Sequence, residues 1–260
     1  MTLQPITLQQ QTLIPLLFSF RYINRLQFQH YLGNQNPSHI NRQLKDLVDK
    51  AYFRKIEEGS ERDYQGYSKP VTYYVGPKGI RFMATLKNLK VENLKNRYRD
   101  GTRFQAFIDH NLLLTEIFLQ FREKAKENNS ILSFQTKTDF EEESTLSRFS
   151  PDAYVVEGGE EKKISWLEIV DIEAQRFVLK RRIRSLFKLY STNSLEVDTG
   201  ENFPAILLIC PTRELQGLLK NYIAKIQEDQ GEDIVFKLTT YEKVKTLGVN
   251  SKIWKSPKQR

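Results

Sequence analysis

From Asn24 to Val75, each joint of a helix-turn-helix followed by two strands carries the residue type that joint requires, and no other stretch constrains the fold as tightly. Asn24-Arg25-Leu26-Gln27 places a capping residue three positions ahead of a Gln, the reciprocal pair that satisfies backbone N–H groups at a helix start, and Gly33 supplies a stop. Asn36-Pro37 opens a second helix, because Asn is a preferred cap and Pro fits the first helical position. In that helix Ile40, Leu44, Leu47, Val48 and Ala51 share one face, while Ser38, His39, Asn41, Arg42, Lys45 and Asp49 share the other. One face packs and the other is left to meet a partner.

The aromatic run Tyr52–Ile56 predicts a strand, and Val71–Val75 a second. Between them lies a polar stretch with Gly59, Gly66 and Pro70, which also holds Arg62, Tyr67 and Lys69. Two strands joined by a long polar loop after such a helix pair predict a winged helix-turn-helix. In such modules the second helix enters the major groove of double-stranded DNA. Ser38, His39, Asn41, Arg42 and Lys45 are then the expected contacts from the helix, and Arg62, Tyr67 and Lys69 those from the wing. A merely solvated charged face is the competing reading.

Charge separates the two halves of the chain. Residues 1–105 carry 17 Lys and Arg against 8 acids, whereas residues 106–260 carry 23 against 24, so the net +8 belongs to the first half. That distribution suits a polyanion met through the first half. The longest apolar run, Ala205–Cys210, is far short of the roughly 20 residues a bilayer helix needs, and the N-terminus lacks a signal-peptide pattern. A cytoplasmic protein without a membrane partner is expected. The single cysteine, Cys210, forms neither an internal disulfide nor a cysteine-cluster metal site and reads as core.

Taken in order, residues 7–18 predict a first helix with Leu8, Leu13, Ile14, Leu17 and Phe18 on its apolar side, kinked or stopped early by Pro15. Arg21-Tyr22-Ile23 predicts a short strand. A short helix with Ile80, Phe82, Met83 and Leu86 follows the wing and closes a first domain over residues 1–86; residues 87–106 read as a basic connector. The second domain, 107–250, reads as a long helix near Phe107–Asn128, three strands (Ile131–Thr136, Asp152–Val156, Ile164–Ile172), a basic helix Gln175–Tyr190 and a buried strand Pro204–Cys210. A helix, a strand and a short helix complete it, and 251–260 is a basic tail.

In this αβββαβ series the expected chemistry lies at strand ends. Strand residues two apart share a face, so Asp171 and Glu173 are expected on one side, joined by Asp152 from the neighbouring strand. Three such carboxylates suit Mg²⁺, which can activate water against a phosphodiester. The order of elements and Pro151-Asp152 are similar to the PD-(D/E)XK nuclease superfamily, whose lysine is replaced here by Glu173. With Glu168 as the second acid, Val170 occupies that position instead. Lys180 or Arg176 on the next helix is the candidate substitute, and His110 and Glu116 on the long helix are further polar groups to place. Acids beside turns are also ordinary surface features.

Over nearly its full length the chain resembles the replication-relaxation family of bacterial plasmids and mobile elements. The resemblance rests on Thr7–Leu32, Pro37–Ile56 and Thr72-Tyr73-Tyr74-Val75-Gly76-Pro77-Lys78-Gly79-Ile80 in the first half. In the second half it rests on Asp109-His110-Asn111, Ser150-Pro151-Asp152-Ala153 and Trp166–Glu173, with Asp171-Ile172-Glu173-Ala174 carrying the family's strand-end acids interchanged. The resemblance implies an α+β chain, a winged helix-turn-helix followed by a degenerate restriction-endonuclease-like domain. It also implies an accessory role in replication or DNA relaxation beside a relaxase or replication initiator. A Mg²⁺-dependent nicking or cleaving enzyme and a winged-helix transcription regulator are the alternative functions.

Overall fold

Local side-chain caps begin the first three helices. In the computed structural model, which describes residues 5–33, 36–56, 69–87, 91–140, 144, 148–158, 162–231, 233–249 and 251–257, helix α1 spans Leu8–Phe20. Thr7 and Gln10 form its capping box, each side chain bonding the other's backbone N–H at 3.2 and 2.9 Å. The early stop expected at Pro15 does not occur. Leu13 and Ile14 before it and Leu17, Phe18 and Phe20 after it are all buried, and that burial carries the helix past the missing N–H. Leu8, expected on the apolar side, is exposed.

Strand β1 (Ile23–Asn24) leads into α2 (Arg25–Leu32), where Asn24 and Gln27 form the predicted capping box and Gly33 ends the helix with φ +60°. Helix α3 (Pro37–Asp49) starts at Asn36, whose side chain accepts from the Ser38 and His39 N–H groups at 3.0 and 3.3 Å. Ala51, expected on the packed face of this helix, lies beyond its end in a left-handed conformation of φ +60°.

Strands β2 (Phe53–Lys55) and β3 (Thr72–Val75) complete an antiparallel sheet of order β1-β3-β2, with Ile23 opposite Tyr73 and Phe53 opposite Val75. Helix α4 (Pro77–Leu86) then packs closely on the start of β2. A Cβ on Gly79 would lie 2.4 Å from the Tyr52 carbonyl oxygen, and one on Gly76 2.6 Å from that of Ala51, so neither position admits a side chain without movement.

The basic stretch after α4 contains a 3-10 helix over Val91–Thr102, with Leu94 and Asp100 buried. Arg21 pairs with the Asp100 carboxylate, and the Tyr22 hydroxyl donates to the Asp100 carbonyl at 2.6 Å. Burial, with the Asp100 charge second, pushes the Tyr22 phenol above its ordinary range.

The chain divides into two compact units, 1–119 and 120–260. The boundary falls within α5 (Gln105–Glu127), which buries Ile108, Leu114, Ile117 and Phe121.

The second unit is built on a five-stranded mixed sheet of order β4-β5-β6-β7-β8: β4 (Leu132–Thr136), β5 (Ala153–Glu157), β6 (Lys163–Ile169), β7 (Ala205–Cys210) and β8 (Phe236–Thr240). The first three strands are antiparallel, while β6-β7 and β7-β8 are parallel. The parallel connections contain α6 (Arg176–Ser191) with α7 (Ser194–Thr199), and α8 (Arg213–Gln230). Trp166, Ile183, Phe187, Ile206, Leu208, Leu219, Ile223 and Phe236 lie in one core, as the nearly unbroken apolar sequence of β7 requires of a central parallel strand.

Cys210 lies in this core, as expected, and burial pushes its thiol up to about 12. After α9 (Tyr241–Leu247) the chain returns, and Lys255 exchanges two 2.9 Å backbone hydrogen bonds with Leu238. No helix among the described residues is long and apolar enough to cross a membrane.

Candidate functional site

In the first unit the candidate surface is the outer side of α3. Ile40, Leu44 and Leu47 are buried, which leaves Ser38, Asn41, Arg42 and Lys45 exposed and His39 half-buried. The inner side is fastened to α1: Gln10 Nε2 donates to Asp46 Oδ2 at 2.8 Å, and Gln43 Nε2 to Gln9 Oε1 at 2.6 Å. Lys50 adds a 2.8 Å ion pair to Asp46, and this pairing, followed by the Gln10 bond, holds the Asp46 carboxyl below its ordinary value. The outer side is thus presented by a helix with little freedom to roll.

The exposed cations of α3 differ in their engagement. Lys45 Nζ lies 2.9 Å from Asp49 Oδ2 one turn on, an exposed pair of small worth that a phosphate can displace; the same hydrogen bond and charge raise the Lys45 pKa. The Arg42 side chain has no hydrogen-bond or ion-pair partner among the described residues. On β2 the side chains of Arg54 and Lys55 are also exposed and unpaired among the described residues, a cationic pair that the sequence reading missed. Its signal was a basic pair directly after an aromatic strand start. Lys69 is exposed, while Arg62 and Tyr67 lie outside the described residues.

In the second unit the three expected carboxylates do not form a metal group. β6 ends at Ile169 instead of Ile172, so Asp171 and Glu173 are not strand neighbours sharing a face. The reason lies in its partners: β5 begins at Ala153 opposite Leu167, and β7 ends at Cys210 before Pro211, which leaves β6 nothing to pair with beyond Val170. The Asp171 backbone carbonyl accepts the Ala174 N–H at 3.1 Å in a turn, and the side chains of both acids are exposed. Among the described residues, no three His, Cys, Asp or Glu side chains gather as a possible metal site.

Asp152 is buried and already engaged: Oδ2 accepts the Ile169 N–H at 2.7 Å and Oδ1 lies 2.8 Å from Lys137 Nζ. Lys137 thus stands beside this acid, while Lys180 lies over the Tyr222 ring, 5.1 Å from its centroid. Glu168, the alternative second acid, accepts from Trp166 Nε1 and Arg182 Nε, both at 3.0 Å. Arg182 also donates to the Phe149 carbonyl at 2.6 Å, which separates it from its exposed neighbour Arg181.

The Tyr241 hydroxyl donates to the Val170 carbonyl, and burial, then the charges of Asp171 and Asp152, push its phenol up. His110 and Glu116 are half-buried on the part of α5 that belongs to the first unit.

The model of the replication-relaxation family matches residues 16–205, which cover the α2-α3 pair, the three-stranded sheet and the second unit as far as the start of β7. The chain belongs to the replication-relaxation family. Its resemblance in Thr72–Ile80 and Ser150–Ala153 falls inside that match. No curated protein and no solved structure matches this member of the family.

Proposed function

We propose that this chain is a DNA-binding accessory protein acting in the replication or relaxation of plasmid or mobile-element DNA, with α3 reading duplex DNA. One observation carries the reading: α3 buries Ile40, Leu44 and Leu47 and presents to solvent Asn41 and an Arg42 unpaired among the described residues. The order α1-β1-α2-α3-β2-β3 with sheet order β1-β3-β2 supports a winged helix-turn-helix, in which such a side chain pair meets base edges. The 17 basic against 10 acidic residues of positions 1–119 supply the sequence-independent attraction to phosphate.

The strand order of the second unit supports a likeness to the PD-(D/E)XK nucleases, but two of its candidate acids serve structural bonds. The Asp152 carboxylate holds the Ile169 amide and the Glu168 carboxylate holds Arg182, while the Asp171 carboxylate is exposed beyond the end of β6. A docking role on DNA or on a relaxase or replication initiator accounts for this arrangement better than metal-dependent cleavage.

Fluorescence anisotropy with a panel of duplexes tests the reading. Arg42→Ala is expected to cost about 1–3 kcal/mol on the preferred sequence and to relax base preference at one position. Equal affinity of parent and variant for every duplex would refute it.

A further inference from the structure

Helix α6 concentrates positive charge to a degree that its unit does not share. Its 16 residues include six Lys and Arg and no acid, whereas the remainder of positions 120–260 has 17 basic and 22 acidic residues. One of the six, Arg182, is taken up by Glu168. Lys180, Arg181, Arg184 and Lys188 recur at three- and four-residue intervals and so share one side of the helix.

That side meets no anionic partner among the described residues. Among the described residues, the exposed side chains of Arg181 and Lys188 make no hydrogen bond or ion pair. Arg184 and Lys180 lean on Tyr222 of α8, with Arg184 Nε donating to the Tyr222 hydroxyl at 2.6 Å and Lys180 over its ring. Tyr222 holds two cations in place without neutralising either. Like charges crowded on one helix face repel each other and are relieved by an external polyanion.

We infer that the α6 face is a second contact for duplex DNA, made to the phosphate backbone independently of α3. Arg181, Arg184 and Lys188 span about 10 Å along the helix axis, the reach of about three successive phosphates of one strand. Set against phosphates and not base edges, these cations make a contact that is indifferent to sequence. It adds affinity and positions the second unit on DNA that α3 has selected, and in that respect it rests on the DNA-binding reading above.

The test measures duplex affinity of the full chain against salt concentration for the parent, an Arg181→Ala/Lys188→Ala variant and an Arg42→Ala variant. Melting temperatures confirm that all three fold. The double variant is expected to bind every duplex more weakly and to reduce the slope of log affinity against log salt by about 1.8, the share of two phosphate contacts. An unchanged slope and affinity would overturn the inference and leave the α3 reading intact.

A weakened double variant beside an unaffected Arg42→Ala variant would sustain the inference and overturn the α3 reading. A parent chain without salt-dependent duplex binding would overturn both. Unchanged duplex binding with loss of poly-L-glutamate binding would overturn it in favour of an acidic protein partner.

Discussion

Lys137 sets its ammonium 2.8 Å from one carboxylate oxygen of Asp152, while the other oxygen accepts the Ile169 amide at 2.7 Å. The acid that sequence comparison would make a metal ligand is thereby the tie between β5 and the end of β6. Asp152→Ala leaves a buried N–H without this partner and is expected to cost about 1–3 kcal/mol in urea unfolding. Lys137→Ala, on a half-exposed side chain, should cost under about 1 kcal/mol. Supercoiled plasmid should stay intact with Mg²⁺ or Mn²⁺. Metal-dependent cutting abolished by Asp152→Ala at unchanged stability would contradict this assignment.

Glycines 79 and 217 should respond in opposite directions to alanine. A Cβ at Gly79 meets the Tyr52 carbonyl oxygen at 2.4 Å and a Val75 methyl carbon at 2.7 Å, so Gly79→Ala is expected to destabilise the first unit by about 1–3 kcal/mol. Gly217, inside α8, has open space around the same position, and Gly217→Ala should stabilise the second unit by about 0.5–1 kcal/mol. Thermal melts of the two variants check the contrast.

Cys210 should be inert in the native chain. Its thiol is pushed up to about 12 by burial, so a thiol reagent at pH 8 should react only after denaturant is added. The unfolded thiol releases its proton near the ordinary value of 9.0, whereas the folded one keeps it. Stability from this group therefore falls as pH rises from about 9 towards 12. Urea midpoints measured from pH 8 to 10.5 should decline, and a Cys210→Ser control should remove its share of the slope. Prompt labelling of the native chain would show that the thiol is accessible.

Asp46 contributes in the opposite pH direction. Lys50 and Gln10 hold its carboxyl below the ordinary 3.8, so the tie between α3 and α1 is complete above that value and lost as pH falls through the folded-state value. The group is partly solvated, which limits the contribution to under about 1 kcal/mol. Asp46→Asn should make the first unit's urea midpoint less sensitive to pH between 5 and 3. An unchanged pH dependence would contradict the proposed lock.

Features set by neighbours in sequence were legible, and features set by partners across the sheet were not. Asn24 with Gln27, Asn36 with Pro37, and Gly33 each complete a hydrogen-bonding requirement within four residues, so the start and stop of α2 and the start of α3 followed from them directly. The end of β6 depends on where β5 begins and β7 ends, which alternation within β6 does not reveal. Arg181 and Arg182 look alike in sequence, yet one turns to solvent and the other to Glu168. Lys137 lies 15 positions from Asp152 and has no motif to announce it. The α3 surface was legible because helical periodicity separates Arg42 from Ile40 and Leu44 without reference to the rest of the fold.

The central claim is that the exposed side of α3 lies against a DNA groove. Because Cys210 is buried, Ser38→Cys would introduce the sole reactive thiol, and an iron–EDTA cleaving reagent attached there would mark whatever DNA lies beside the start of α3. A few discrete cuts are expected on each strand of a bound duplex, lost in the Arg42→Ala background. Uniform cutting no different from that of free reagent would contradict it.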